Sequence, residues 1–168
     1  MATIHLVEGP VGAGKSTFAA QIALTHSAAH LNLDEWMAVL FKPDRPTAGV
    51  MLWYSERKNR CIEQIWKVAC DLLDTDSNVI LELGLVHISD REAFYSRVDA
   101  TDYELKIYIL DAPEEVRRQR VRDRNRTKGS TFQMEVPDEI FELANTAWQA
   151  PDDAECSDRG IQTISTSR

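Results

Sequence analysis

Gly9-Pro10-Val11-Gly12-Ala13-Gly14-Lys15-Ser16 is the most specific motif in the chain. It fits the pattern G-x-x-x-x-G-K-[ST], in which glycines let backbone N–H groups close around a phosphate. The preceding apolar run predicts a buried strand and the following run predicts a helix, which is the context that a phosphate-binding loop requires. We therefore expect the loop to bind a nucleoside triphosphate through Gly9, Gly12, Ala13, Gly14, Lys15, Ser16 and Thr17.

The length, net charge and cysteine content of the chain limit the classes of protein to which it can belong. A chain of 168 residues is long enough for a single domain with a real core, and we treat residues 1–168 as one domain. A formal net charge of −8 argues against a nucleic-acid partner, which requires a basic face. Three cysteines without metal-ligand spacing, together with no signal-peptide pattern and no membrane-length apolar run, lead us to expect a cytoplasmic protein that is a monomer or homodimer.

Strand and helix patterns alternate along the chain. Further strands are predicted at about 29–33, 78–83, 103–110 and 161–164, and longer helices at about 50–73, 89–98, 113–124 and 137–148. A capping box is predicted at 89–92, and residues 151–160 are predicted to form an acidic loop. The alternation predicts an α/β fold, a three-layer sandwich around a five-stranded parallel sheet, with ligands bound at the carboxyl ends of the strands.

Two acidic residues are expected at that edge. Asp34 follows the second strand, where it could accept a proton from an attacking hydroxyl or could simply cap the helix that follows, and the two roles are about equally favoured. Glu82 ends the apolar run of the third strand and could hold Mg²⁺ together with Ser16; its alternative is an outward position at a sheet edge.

A basic run follows the fourth strand. Its members are Arg117, Arg118, Arg120, Arg122, Arg124 and Arg126, and it leads into a polar segment, 125–136, predicted to be a mobile loop. We expect an arginine-rich lid at about 124–136 that closes over the phosphates, with Arg120, Arg124 and Arg126 facing the cleft and Arg120 contacting the nucleotide. The alternative for about half of these arginines is a solvated helix face paired with nearby carboxylates.

Aromatic residues suggest where an acceptor would bind. Trp53 and Tyr54 follow a loop that contains two prolines, and His87 lies in the loop after the third strand. These three side chains are the candidates for a substrate pocket, whereas Trp66 lies on an apolar helical stripe and is expected in the core.

With these residues in place, the chain resembles the small P-loop kinases, in particular the branch with polynucleotide 5′-hydroxyl kinase, chloramphenicol phosphotransferase and zeta toxins. The polynucleotide kinase motif Asn-x-Asp-[DE]-aromatic is matched by residues 32–36, read Asn-Leu-Asp-Glu-Trp. The resemblance implies that Asp34 is the catalytic base and that the basic run supplies the lid. The motif's next position is Arg in polynucleotide kinase and Met37 here, which argues further against a polynucleotide acceptor.

The sequence therefore predicts an ATP-dependent phosphotransferase that requires Mg²⁺ and acts on a hydroxyl of a small molecule. Lys15 and the lid arginines would neutralise the moving phosphoryl group. The alternatives are a nucleoside monophosphate kinase, for which Arg45 and Arg57 are the nearby candidates to bind a second phosphate, an NTPase without an acceptor, or a nucleotide-binding switch.

Overall fold

The computed structural model describes residues 2–129, 132 and 134–167. Five strands form one sheet in the order β2-β3-β1-β4-β5, and every neighbouring pair is parallel. The strands are β1 (Thr3–Glu8), β2 (Ala29–Asn32), β3 (Val79–Glu82), β4 (Glu104–Asp111) and β5 (Gln162–Ser165). The predicted five-stranded parallel sheet is confirmed.

Helices connect the strands and cover the sheet. They are α1 (Lys15–His26), α2 (Leu33–Leu40), α3 (Val50–Leu73), α4 (Ile88–Asp99), α5 (Glu114–Thr127), α6 (Asp138–Ala147) and α7 (Asp153–Arg159), with a short 3-10 helix at Lys42–Asp44. None of the helices in the described ranges has the length and apolar character needed to cross a bilayer.

The central strand β1 shows why the fold has three layers. Ile4 and Leu6 face one apolar cluster, whereas Val7 faces a second cluster on the other side of the sheet. The first cluster takes in α3, whose buried residues recur every four positions, as in Ile65 and Ala69. Because both faces of β1 are covered, all six of its residues are buried, including the polar Thr3, His5 and Glu8.

Two local predictions are wrong. Residues 151–160 are not a loop, because Asp152 accepts a hydrogen bond from the Glu155 backbone N–H at 2.8 Å and caps helix α7. Helix α4 begins at Ile88, so the predicted capping box at 89–92 lies inside the helix. The free N–H of Ile88 at the start of α4 instead donates to the side-chain oxygen of Gln149, 61 residues away, at 2.9 Å.

Candidate functional site

The glycine-rich loop leaves the centre of the sheet and runs directly into α1. Gly9, Gly12 and Gly14 all have positive φ, and Gly14 is the N-cap of the helix. At Gly12 a Cβ atom would lie 2.6 Å from the backbone oxygen of Arg117, so a side chain there would collide with α5. The loop is held in a conformation that only glycine adopts without strain.

The first turn of α1 has the features of an anion site. No side chain among the described residues caps it and no acidic residue lies in its first turn, so its N–H groups are available to an anion above the loop. The Lys15 ammonium donates hydrogen bonds to the backbone oxygens of Gly9 at 2.9 Å and Pro10 at 3.1 Å, which keeps it against the loop. Phosphate oxygens would be stronger acceptors for that ammonium than these neutral carbonyls.

Glu82 lies beside the loop and is fixed by three donors. Its carboxylate accepts hydrogen bonds from the Ser16 hydroxyl at 2.9 Å and from the Asn32 amide at 3.0 Å, and its Oε2 lies 3.1 Å from His30 Nε2. Because β3 lies between β1 and β2 and Glu82 is only 6% exposed, the alternative of an outward position at a sheet edge is wrong. A hydroxyl and a carboxylate oxygen in contact are the hard ligands that Mg²⁺ prefers, so this pair fits the ion.

Asp34 lies where β2 meets α2, but it does not cap the helix. Asn32 is the cap, because its Oδ1 accepts hydrogen bonds from the N–H groups of Asp34 at 2.9 Å and Glu35 at 3.2 Å. The capping role considered for Asp34 is therefore wrong. Its own carboxylate makes no hydrogen bond or ion pair within the described part of the chain, and it is open to the cleft.

The surroundings of Asp34 determine its proton affinity. The carboxylate is in contact with water but has protein on most sides, and this desolvation raises its pKa above the ordinary value. The charge of Glu82 adds to the rise, while the cations Lys15, Lys58 and Arg124 oppose it. Asp34 therefore holds a proton more tightly than a free aspartate does, as suits a group that accepts one in a reaction.

Two of the predicted lid arginines lie at the cleft. Arg124 is half-buried, and its Nε has no hydrogen-bond partner in the described residues. Desolvation lowers the pKa of its guanidinium, and the charges of Asp34 and Glu82 oppose that effect. Arg120 donates to the hydroxyl of Thr166 at 3.0 Å and also to its backbone oxygen. The Thr166 hydroxyl in turn donates to the backbone oxygen of Ala13 at 2.7 Å, so the segment after β5 joins α5 to the loop.

The other arginines of the run donate to oxygens of the protein around α5. Arg126 is 75% exposed and pairs with Asp123, so it points away from the cleft. Arg117 is buried and donates to backbone oxygens of Ala112 and Val11. Arg118 and Arg122 pair with carboxylates on α5 and α6, namely Glu114, Glu142 and Asp138.

The segment that should form the lid is only partly described. Helix α5 continues three residues past the predicted end, to Thr127. Asn125 exchanges two hydrogen bonds with the backbone of Val136, at 2.8 and 3.1 Å, which joins the last turn of α5 to the residues before α6. Ser130, Thr131 and Gln133 lie outside the described residues, so the lid stays a prediction.

A cavity of about 500 Å³ opens next to the glycine-rich loop. Its lining combines the loop, the start of α1, the cleft side of α5 and the end of β5, and it includes Gly12, Gly14, Thr17, Phe18, Arg120, Arg124 and Thr166. The volume lies within the range of small-molecule sites. A second cavity of about 380 Å³, between α4, β4 and the end of α7, contains none of these residues.

The aromatic candidates differ in their positions. Tyr54 lies near Asp34, and burial, followed by the Asp34 charge, raises the pKa of its phenol to about 12. The Trp53 ring is covered by the Arg57 guanidinium at 4.5 Å, and Trp66 packs against the core as expected. His87 is exposed at the start of α4.

Four contributors to the site were not predicted from the sequence. Three of them are Asn32, His30 and Thr166, and their roles depend on contacts between separate strands and loops. The fourth is Glu8, a fully buried carboxylate that accepts hydrogen bonds from the N–H groups of Leu83 at 3.2 Å and Leu85 at 3.1 Å. Burial raises the pKa of Glu8 to about 7, against the opposing effects of Lys15 and these two hydrogen bonds. Glu8 thereby ties the strand before the glycine-rich loop to the loop after β3.

Known proteins share this architecture. A family model described as an AAA domain, AAA_33, matches residues 4–151. The chain belongs to the AAA_33 family. No curated protein sequence matches it significantly.

Solved structures of kinases and of a further nucleotide-bound protein have the same fold. A candidate kinase from Chloroflexus aurantiacus is 16% identical, with a TM-score of 0.71 over 99% of this chain and 86% of that one. Chaetomium thermophilum Kti12, solved with ADP-AlF3, is 12% identical, with a TM-score of 0.73 over 97% of this chain and 89% of its own. The APS kinase CysC of Mycobacterium tuberculosis, solved with AMPPNP and APS, is 14% identical, with a TM-score of 0.63 over 99% and 90%. The AAA_33 chain therefore has the fold of the P-loop kinases, as the sequence predicts.

Proposed function

We propose that this AAA_33 protein is an ATP-dependent phosphotransferase that moves the γ-phosphoryl group of MgATP to a hydroxyl of a small molecule. The observation that carries the proposal is the Asp34 carboxylate. Among the described residues it has no hydrogen-bond or ion-pair partner, and it lies at the carboxyl edge of the sheet near Lys15, Lys58 and Arg124, cations that suit a transferring phosphoryl group.

The nucleotide would occupy the loop and the adjoining cavity. The N–H groups of residues 9–17 and the Lys15 ammonium suit the phosphates, and Arg120 lines the cavity where the rest of the nucleotide fits. The structures with ADP-AlF3 and AMPPNP support a nucleotide as the ligand class. Ser16 and Glu82 would hold Mg²⁺, which neutralises charge on the phosphates when it is bound.

Phosphoryl transfer needs a proton acceptor and charge neutralisation. Asp34 would accept the proton of the acceptor hydroxyl as that oxygen attacks the γ-phosphorus. Lys15 and Arg124 would stabilise the charge spread over the transferring group, and closure of a lid at about 124–136 would exclude water. An enzyme that only hydrolyses a nucleoside triphosphate would use Asp34 to orient water instead.

Turnover in the presence of acceptors separates these activities. Purified protein is incubated with MgATP and a panel of nucleosides, nucleoside monophosphates, sugars, sugar acids, aminoglycosides and chloramphenicol, and ADP release is measured. We expect at least one class to stimulate ADP release and to gain phosphate, and Lys15→Ala to abolish both. Constant ADP release with every acceptor would contradict the phosphotransferase and favour the NTPase.

A further inference from the structure

Three polar side chains near the carboxyl edge of the sheet have few or no hydrogen-bond partners among the described residues. They are the Asp34 carboxylate at the start of α2 and the Tyr54 hydroxyl and Lys58 ammonium on α3. Tyr54 and Lys58 are four residues apart, so they lie on the same face of that helix. The Asp34 carboxylate and the Tyr54 hydroxyl make no hydrogen bond in the described ranges, and both are positioned to meet a ligand.

Lys58 lies at the carboxyl edge of the sheet. Its ammonium is 3.4 Å from the backbone oxygen of Gly84, two residues after Glu82. Asn32 and Glu82 are register partners in β2 and β3, so Asp34 and Gly84 each lie two residues beyond a matched pair. The ammonium is consequently close enough for its charge to lower the pKa of Asp34, against the larger effect of desolvation.

The Lys58 ammonium has unused binding capacity. An ammonium has three donors, and the long contact with Gly84 is its one hydrogen bond among the described residues. It is half-buried and has no carboxylate within ion-pair distance in that part of the chain. Partial burial of an unpaired cation is unfavourable, and a bound anion would offset that cost.

The other nearby cations have different partners. The Arg57 guanidinium lies over the Trp53 ring and donates to the Trp53 backbone oxygen at 3.2 Å. Lys15 and Arg124 belong to the nucleotide side of the cleft. Lys58 is thus the cation that α3 presents to an acceptor.

On the basis of the phosphotransfer proposed above, we propose that Lys58 binds an anionic group of the acceptor, so that the substrate is a hydroxyl compound that carries a carboxylate, phosphate or sulfate. The Tyr54 hydroxyl would donate a second hydrogen bond to the same ligand, and Asp34 would meet its hydroxyl. Neutral acceptors would leave the Lys58 ammonium unpaired and would bind more weakly.

Binding without turnover tests the site independently of catalysis. Protein saturated with MgAMPPNP, which fills the phosphate-binding loop, is titrated calorimetrically with sulfate, inorganic phosphate and gluconate at constant ionic strength. We expect at least one of these probes to bind, and Lys58→Met to weaken that binding about 10- to 100-fold, as for a lost hydrogen bond between charged groups. Lys67→Met, which removes an exposed lysine from the same helix, should change nothing.

Controls separate a binding role from a folding role. Lys58→Met should keep the melting temperature and the MgAMPPNP affinity, and Lys58→Arg should restore anion binding in large part. Absence of binding by all three anions, or equal binding by wild type and Lys58→Met, would overturn the proposal. If the anions bind through Lys58 but no acceptor is ever phosphorylated, the anion site stands and the phosphotransferase fails.

Discussion

Replacing Asp34 by Asn removes the proposed base but keeps the size and shape of the side chain. Because general-base catalysis contributes about 10²- to 10⁴-fold, we expect kcat for transfer to fall by that factor, with the affinity for MgATP nearly unchanged. The N–H of residue 34 still donates to Asn32, so the fold should be kept. Because the pKa of Asp34 is raised, its ionised form is unfavourable in the folded protein, and Asp34→Asn should be at least as stable as wild type at neutral pH. Rapid-quench transfer assays and urea unfolding measure the two quantities.

The pH dependence gives the same prediction a second test. The base must be unprotonated, and the pKa of Asp34 is raised, so wild-type kcat/KM should increase with pH through a limb that lies above the ordinary range of an aspartate. Since the folded protein binds this proton more tightly than the unfolded chain, wild-type stability should decline as pH rises through the same window. Asp34→Asn should flatten both trends.

The adjacent carboxylate supplies a matched control. Glu35 is exposed in the same helical turn, so Glu35→Gln makes the same chemical change one residue away and should keep full activity. The reasoning is refuted if Asp34→Asn retains wild-type kcat, if Glu35→Gln loses as much, or if Asp34→Asn unfolds the protein.

Three further substitutions test the site and its support. Asn32→Asp keeps the helix cap but replaces the N–H donor to Glu82 by an oxygen. A Mg²⁺ titration of nucleotide binding should then show about 10- to 100-fold weaker Mg²⁺ affinity. An unchanged affinity would remove Glu82 from the metal site. Gly12→Ala places a Cβ atom against the Arg117 backbone oxygen, so it should destabilise the protein by at least about 1 kcal/mol and abolish nucleotide binding in calorimetry. A variant that still binds nucleotide would show that the loop can shift to make room for the methyl group. Arg91→Met removes the buried cation that pairs with the half-buried Glu155 and should reduce the free energy of unfolding by up to about 3 kcal/mol in urea unfolding. Because Arg91 lowers the pKa of Glu155, the wild-type advantage should fade as pH falls through that pKa, and a difference independent of pH would contradict the pairing.

Local sequence patterns were sufficient for the parts of the fold that depend on neighbours in the chain. The glycine-rich loop, its flanking strand and helix, and the helix of residues 50–73 follow from residue type and period, and the structure confirms them. Glu82 was found because it directly ends an apolar strand. Parallel strands then bring Ser16 and Glu82 together, which the topology makes predictable.

Contacts between distant segments could not be predicted in the same way. Asn32 caps α2 and also donates to Glu82, and its place at the start of the Asn-x-Asp motif does not show either contact. Helix α7 forms in an acidic stretch because Glu155 also accepts two hydrogen bonds from the buried Arg91, a pairing across 64 positions. The importance of Lys58 depends on the rotation of α3, which sets it rather than Arg57 beside Gly84.

The basic run shows the limit of residue type as a guide. Arg117, Arg118, Arg122 and Arg126 find oxygen partners on the protein, while Arg120 and Arg124 line the cavity. Helical spacing alone places Arg117 on the same face as Arg120 and Arg124, and only the packing of α5 against the loop shows that Arg117 is structural.

The fate of the γ-phosphate tests the central claim most directly. ATP labelled at the γ-phosphate is mixed with excess protein, Mg²⁺ and each anionic hydroxyl compound of the panel, and the label is followed through one turnover. If the protein is a phosphotransferase, the label appears on the hydroxyl of one acceptor in a one-to-one ratio with ADP, and Asp34→Asn prevents the transfer. Label found only as free phosphate, at a rate that no acceptor changes, would contradict it.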